Sequence, residues 1–248
     1  MDNNRILCLN SIIFQIYNIE DFDEMRTSIL NSLGTLIPIS CGSILMVDHS
    51  SAGKFLCDPI CFPERFLPME QNYLKFEEFD YSRWLMLKKQ TAVMKATSLM
   101  SDEDRQKTAI YQKCFAPYGL HYAVDLTIVN NGEHLGILSL YRSKVEGDFA
   151  DDDVFLLQML SDHLNARFYA DRKAQDPFAE VKNMNDFIAA YALTAREAEI
   201  LYLILYGKSN EDISEELCIS PHTLKKHLQN IYRKTGVSGR IQLFTLQP

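Results

Sequence analysis

Three helix starts with their own capping residues follow one another near the end of the chain. Thr194 and Glu197 have the T-x-x-E spacing in which each side chain caps the backbone amide of the other residue. Ser209 can cap a second helix, and Ser220 can cap a third, in which Pro221 takes the first helical position at no cost in hydrogen bonds. Two short helices joined by a tight turn, the second of them basic, predict a helix-turn-helix.

The last of these helices has an apolar side and a basic side. At about 100° per residue, Leu224, Leu228 and Ile231 fall together and Thr235 joins them, so this side would pack against the neighbouring helices. The opposite side carries His222, Lys225, Lys226, Gln229 and Arg233. Such side chains can pair with phosphate oxygens and donate to base edges in a DNA major groove.

The charge of the chain is unevenly distributed. The formal net charge is −8, yet residues 191–248 contain seven basic and six acidic residues, a net charge of +1. The first 190 residues therefore carry a net charge of −9. Because the whole chain is acidic, a local basic surface has to provide any binding of nucleic acid.

Residues 193–240 resemble the DNA-binding domain of LuxR-type transcription factors. The shared pattern reads LT-x-RE-x-E-I-L over 193–201, G-K-S-N-x-x-I-S-x-x-L over 207–217 and I-S-x-x-T-L-K-x-H-L-x-N-I-x-x-K-x-G-V-x-x-R over 219–240. The resemblance implies major-groove positions for Lys225, Lys226 and Gln229. The residues that it implies for contacts with the DNA backbone are Ser209, Ser220, Thr223, Arg233 and Lys234.

The first half of the chain alternates between helical and strand patterns. Amphipathic stretches over about 5–17 and 23–37 predict two helices, and "CGSILMVDH" with "FLCDPICF" predicts two strands. Asn131-Gly132, between two apolar alternating stretches, predicts a tight β-hairpin turn. A helical stretch is expected over about 102–118, and a long helix after "DFADDD". This order predicts an α+β fold, an antiparallel sheet flanked by helices, joined to an all-α C-terminal domain.

The layout of residues 5–170, with phrases such as "DFADDDVFLLQMLSDHL", is similar to that of GAF domains. We therefore expect a GAF-like sensor and dimerisation domain at 1–172, a linker at 173–190 and a LuxR-type domain at 191–248. A cavity between sheet and helices is the default ligand site in such a fold. The aromatic residues that could line it are Tyr73, Tyr81, Trp84, Tyr111, Phe115 and Tyr122.

Three alternatives for this half stay open at this point. "FPERFLPMEQNYLKFEEFDYSRW" resembles the aromatic run of acyl-homoserine-lactone regulators, although the Trp and Asp-Pro that hold the lactone are not matched. Cys57 and Cys61 could bind metal or sense oxidation, together with Cys114, His49, His121 or His134. Certain GAF domains are cysteine-based sulfoxide reductases, and the cysteines keep this alternative open. The motifs of other enzyme classes, such as a Ser-His-Asp set or HExxH, are not found in the sequence, and we expect that the protein is not an enzyme.

Composition limits the setting and the partners. Hydrophobic residues make up 47% of the 248 residues, which is typical of a globular protein. The six cysteines lack CxxC spacing, which is typical of reduced thiols in a cytoplasm. The amino terminus lacks the basic start and unbroken apolar run of a signal peptide. We expect double-stranded DNA, a second copy of the chain and a small-molecule effector as partners, with RNA polymerase as a further one. We expect no membrane, cofactor or metal. Whether the second copy pairs through the N-terminal domain, the short last helix or both stays open.

Overall fold

The structure, a computed structural model, describes residues 3–48, 55–175, 184–205, 207–243 and 246. The chain divides into two compact units, Met1–Asp171 and Arg172–Pro248. The first contains a sheet with flanking helices and the second is helical, so the predicted α+β class is confirmed. Among the described helices, none has both the length and the apolar character of a membrane span.

The N-terminal unit is built around one sheet between two layers of helices. Its helices and strands are α1 (Asn3–Asn18), α2 (Phe22–Leu36), β1 (Cys41–Val47), β2 (Leu56–Phe62), α3 (Leu67–Phe76), β3 (Val93–Lys95), α4 (Ala96–Leu99), α5 (Asp102–Lys107), β4 (Tyr122–Asn130), β5 (Glu133–Arg142) and α6 (Asp151–Gln175). Single helical turns at Glu64–Phe66, Glu77–Phe79, Arg83–Leu87, Tyr111–Phe115 and Ala116–Tyr118 complete the helical layers.

The helical stretch expected over 102–118 is interrupted after Lys107. Thr108 has an extended backbone, and its hydroxyl donates to the carbonyl of Arg105 at 2.7 Å. A threonine hydroxyl that bonds to the backbone three residues earlier competes with continuation of the helix. Only separate short turns follow, at Tyr111–Phe115 and Ala116–Tyr118.

The five strands pair antiparallel in the order β2-β1-β5-β4-β3. The predicted hairpin turn forms between β4 and β5, where Asn131 and Gly132 have φ values of 50° and 76°. Gly136 in β5 faces β1 so closely that a Cβ atom would lie 2.6 Å from the carbonyl oxygen of Leu45. Glycine at this position therefore allows β5, the central strand, to pair with β1.

The alternation of side chains along β4 divides the sheet into two faces. Val124, Leu126 and Ile128 are buried in the main apolar core, which also contains the inner sides of α1, α2 and α6. The residues between them, Ala123, Asp125 and Thr127, face a cavity beneath α3 and the short helical turns. The sheet thus has one apolar face and one that includes charged and polar side chains.

The C-terminal unit is a small helical domain with its own core. Its helices are α7 (Met184–Tyr191), α8 (Ala195–Leu205), α9 (Asn210–Glu216), α10 (Pro221–Thr235) and α11 (Arg240–Leu243). The expected exchange of caps between Thr194 and Glu197 is present, with N–O distances of 2.9 and 3.3 Å. Ile200, Leu201 and Ile204 of α8 are fully buried and pack with residues of α9 and α10.

The segment predicted as the linker falls partly outside the described residues. Residues 173–175 continue α6, and residues 184–190 lie in α7, where Phe187 is buried in the core of the C-terminal unit. Neither glycine nor proline occurs within 151–175 or 184–190, so the local sequence does not stop either helix. Both described ends of this segment are therefore helical.

Candidate DNA-binding surface and ligand cavity

Helix α10 begins at a capped and fixed position. The hydroxyl of Ser220 accepts from the amide of Thr223 at 3.1 Å, and Pro221 occupies the first turn. Ser209 and Asp212 form a reciprocal capping box at the start of α9, with N–O distances of 3.0 and 3.1 Å. Such caps contribute about 1 kcal/mol each, so they define where both helices begin.

The two sides of α10 divide as the helical angles predict. Leu224, Leu228 and Ile231 are buried against the other helices of the C-terminal unit. The opposite side is exposed and carries His222, Lys225, Lys226, Gln229 and Arg233. We call these five residues the α10 surface. Ser209, Ser220 and Thr223 are also exposed.

The charged groups of the α10 surface remain available for an external partner. Within the described part of the chain, the side chains of Lys225, Lys226 and Arg233 form no ion pair or hydrogen bond. Each cation therefore remains hydrated, and a phosphate group can replace its water without breaking an internal contact.

Lys234, which was expected to contact the DNA backbone, has partners inside the protein. Its amine lies 2.6 Å from Oε2 of Glu197 and donates to the carbonyl of Ala192 at 2.8 Å. Burial opposes ionisation of Glu197, but the hydrogen bonds from Lys234 and Thr194 outweigh it and lower the pKa of this carboxyl. Lys234 therefore stabilises the start of α8, and Arg233, one residue earlier, remains on the exposed side.

The N-terminal unit contains a cavity of about 50 Å³ between the second face of the sheet and the short helical turns. Of the six aromatic residues proposed to line it, Tyr73, Tyr81 and Phe115 do so. Burial and nearby Asp125 raise the pKa of the Tyr81 phenol, which therefore stays protonated.

The other three aromatic residues lie away from the cavity. Trp84 is 45% exposed, with the amine of Lys88 over its ring at 4.7 Å. Tyr111 bonds through its hydroxyl to Nδ1 of His121 at 2.7 Å. Tyr122 packs against the main core, because it shares the parity of Val124 along β4.

Four carboxylates that the sequence did not single out line the same cavity: Glu70, Glu77, Asp80 and Asp125. Glu70 is fully buried, and burial raises its pKa although hydrogen bonds from Ser43 and Tyr141 act in the opposite direction. Burial likewise raises the pKa of Asp125 to about 7. The alternation of β4 contained a signal for Asp125, since apolar residues at 124, 126 and 128 assign 125 to the other face.

Three of the cysteines lie in surroundings that disfavour the thiolate form. All six thiols are free, and in the described residues there is no group of three or more His, Cys, Asp and Glu side chains that could hold a metal ion. A hydrogen bond with Cys41, together with burial, raises the pKa of Cys61, and burial raises that of Cys57 and that of Cys114, the latter to about 11. Such thiols are poor nucleophiles at neutral pH. His49 lies outside the described residues.

Two family profiles match the chain. The GAF domain profile matches residues 21–168, and that of bacterial regulatory proteins of the luxR family matches residues 191–246. Among curated relatives, LiaR of Bacillus subtilis, a transcriptional regulatory protein, is 53% identical over 51 residues, which cover 21% of this chain and 24% of LiaR. The protein y4qH of Sinorhizobium fredii is 29% identical over 125 residues, or 50% of this chain and 35% of that protein. The matches thus span about a third or less of these relatives.

Solved structures that match the chain include SdiA and an isolated GAF domain. SdiA of Escherichia coli is 16% identical with a TM-score of 0.48, and the match covers 96% of this chain and 94% of SdiA. The GAF domain of an Acinetobacter phosphoenolpyruvate-protein phosphotransferase is 12% identical with a TM-score of 0.49, covering 68% and 95%. On the profile matches, the chain belongs to the GAF domain family through residues 21–168, and its residues 191–246 match the DNA-binding domain profile of the luxR family of bacterial regulatory proteins.

Proposed function

We propose that this protein is a transcription regulator that binds specific double-stranded DNA through the α10 surface, under the control of a small molecule in the N-terminal cavity. The observation that carries the proposal is the α10 surface itself, which is basic, exposed and free of internal partners in the described residues. The buried side of the same helix holds that surface in place.

In this proposal, α10 enters the major groove of the DNA. Lys225, Lys226 and Gln229 contact base edges, because lysine donates to guanine and glutamine pairs with adenine. His222 and Arg233 are the first and last residues of the surface along α10, where they reach phosphates. Ser209, Ser220 and Thr223, which are exposed, add contacts between their hydroxyls and the DNA backbone.

A second copy of the chain would complete the binding unit, because one small module buries little DNA surface. The N-terminal unit offers an apolar surface on two adjacent helices, which the Tyr17–His163 hydrogen bond at 3.0 Å and the Arg5–Asp153 ion pair at 3.2 Å hold side by side. Its exposed residues are Ile6, Leu7, Phe14 and Tyr17 of α1 with Phe155 and Met159 of α6. We call this set the α1/α6 patch and propose it as the homodimer interface.

The test of DNA binding begins with selection of bound sequences from a pool of random-sequence DNA duplexes. Binding isotherms of the selected duplex are then measured at several salt concentrations. Lys225→Ala, Lys226→Ala and Gln229→Ala should each weaken binding by about 1–3 kcal/mol. Lys107→Ala, which removes an exposed lysine from the N-terminal unit, should leave the isotherm unchanged.

Two results would contradict the proposal. One is failure to enrich any sequence from the pool. The other is that all three α10 variants bind the selected duplex with the same affinity as Lys107→Ala.

A further inference from the structure

The charged residues that line the N-terminal cavity are four acids and two arginines, Arg83 and Arg105. Glu70, Glu77, Asp80 and Asp125 line it. Glu77 is committed to the fold, because its two oxygens accept from the backbone amides of residues 55–56 at 2.9 and 3.1 Å. The other three carboxyls take their hydrogen bonds from hydroxyls, with an added amide at Asp80, and none is bonded to a cation in the described residues.

Glu70 and Asp125 are held in one row across three strands. Ser43, Ser139 and Asp125 are register partners on β1, β5 and β4, which lie about 4.8 Å apart. Ser43 donates to Glu70 Oε1 at 2.6 Å and Ser139 donates to Asp125 Oδ1 at 2.6 Å. The two carboxyls are therefore fixed on the same face, and each increases the cost of ionising the other.

Two buried polar atoms of residues that line this cavity lack a hydrogen-bond partner. One is Oε2 of Glu70, an acceptor on a side chain that is 1% exposed. The other is Nε of Arg105, a donor on a side chain that is 2% exposed. The Nη2 atom of Arg105 is already paired with Asp102 at 2.5 Å. A buried acceptor and a buried donor left unpaired both cost free energy, which a ligand with complementary groups would recover.

The size and walls of the cavity restrict that ligand. A buried water needs about 10–15 Å³, so a cavity of about 50 Å³ has room for roughly three to five non-hydrogen atoms. Its apolar walls include Leu45, Leu85, Ile110, Phe115 and Ile137. A bare metal ion does not fit this chemistry, since the described His, Cys, Asp and Glu side chains nowhere converge in a group of three that could hold one.

We propose that the cavity binds a small primary ammonium compound that also carries an oxygen acceptor. The ammonium group donates to Glu70 and Asp125, and the oxygen accepts from Arg105. Amino alcohols and small amino acids share this chemistry. The inference rests on the proposed role of the cavity as the effector site.

The test is calorimetric titration of the full chain with compounds of matched size. Ethanolamine represents the amino alcohols and glycine represents the small amino acids. Ethylamine lacks the oxygen acceptor, ethylene glycol lacks the charge, and acetate has the opposite charge. We expect ethanolamine or glycine to bind most tightly, ethylamine more weakly, and ethylene glycol and acetate not at all. Binding of acetate or ethylene glycol with the highest affinity in this set, or of none of the five, would overturn the inference.

Variants locate the binding site. Glu70→Gln preserves the shape of the side chain and can still accept from Ser43, but it should weaken ammonium binding about tenfold or more. Asp125→Asn should act in the same direction and serves if Glu70→Gln does not fold. Glu103→Gln, the same change on an exposed side chain outside the cavity, is the control and should bind as the wild type does. Equal affinity in all three variants would contradict the assignment.

Binding of the selected duplex is measured separately, with and without the ammonium ligand. If the ligand binds and DNA affinity does not change, the ligand assignment stands and effector control is contradicted. If acetate or ethylene glycol, and not an ammonium compound, changes DNA affinity, effector control stands and the ligand assignment is overturned.

Discussion

On the α10 surface the lysine and arginine side chains lie in solvent without partners in the described part of the chain, whereas in the N-terminal cavity the acidic side chains are buried or half-buried. An exposed cation keeps its hydration, so it can exchange water and counterions for the phosphates of a large polyanion. A buried carboxyl has lost its water, so its pKa rises and only a small ligand that enters the cavity can compensate it. The comparison shows that the placement of charge, more than its amount, indicates the size of partner that each unit can bind.

The largest effect is expected where a charge enters the buried side of α10. Ile231 is fully buried, and Ile231→Asp should unfold the C-terminal unit, because an ionised carboxylate in an apolar core has no compensating partner. Gln229→Asp places the same side chain on the exposed side and should leave the fold intact. Hydrogen–deuterium exchange of α8 to α10 measures both. If both variants protected the amides of α8 to α10 from exchange equally, the two sides of the helix would not differ as described.

The next effect concerns buried charge in the cavity. Burial is the main cause that raises the pKa of Asp125 from 3.8 to about 7, with Asp80 and Glu70 adding to it. A carboxyl with a raised pKa in the folded state favours folding while it is protonated, so its contribution is complete below about pH 4 and is lost as the pH rises to about 7. Asp125→Asn should therefore raise the free energy of unfolding by on the order of 4 kcal/mol at about pH 8.

Urea denaturation at about pH 4 and about pH 8 checks this sign. The variant should differ little from the wild type at the lower pH. Glu103→Gln provides the baseline for an exposed carboxylate. If Asp125→Asn changed stability equally at both values of pH, the buried charge would not be its cause.

A smaller effect is expected at the α1/α6 patch. Phe14 is 64% exposed, and Phe14→Asp should raise the dissociation constant of the homodimer about tenfold or more, because it introduces a charge into an apolar interface. Sedimentation equilibrium gives that constant. Val145, which is 98% exposed outside the patch, provides the control as Val145→Asp. If the two variants had the same dissociation constant, the α1/α6 patch would not be the homodimer interface.

The smallest effect distinguishes two neighbouring basic residues. Lys234→Met removes the partner of buried Glu197 and should lower the free energy of unfolding by about 1–2 kcal/mol. Arg233→Ala should change stability by less than about 0.5 kcal/mol. It should instead reduce the slope of DNA affinity against salt by about 1. If denaturation showed the loss of stability in Arg233→Ala, and salt titration showed the reduced slope in Lys234→Met, the roles assigned to the two residues would be wrong.

Local sequence patterns predicted much of the fold because caps and periodicity act over a few residues. The exchange between Thr194 and Glu197, the two sides of α10 and the turn at Asn131-Gly132 all depend on neighbours in the sequence. The early end of α5 at Thr108 was missed, since a threonine hydroxyl is compatible with either outcome.

The cavity was less predictable because its residues come from distant segments. Glu70 lies in a helix and Asp125 in a strand, and only the closed sheet brings both to one face. Trp84, Tyr111 and Tyr122 were expected there because they are aromatic, but residue type does not determine the direction of a side chain. Similarly, the sequence places Arg233 and Lys234 side by side, and only the position of Glu197 determines which of them is paired.

The parity of β4 has a consequence for redesign. Positions 124, 126 and 128 maintain the apolar core, while positions 123, 125 and 127 face the cavity. The ligand preference that we propose for the cavity can therefore be altered by substitution at the second set, while the first set continues to specify the fold. A one-residue insertion before the hairpin would exchange the two sets, and both properties would be lost together.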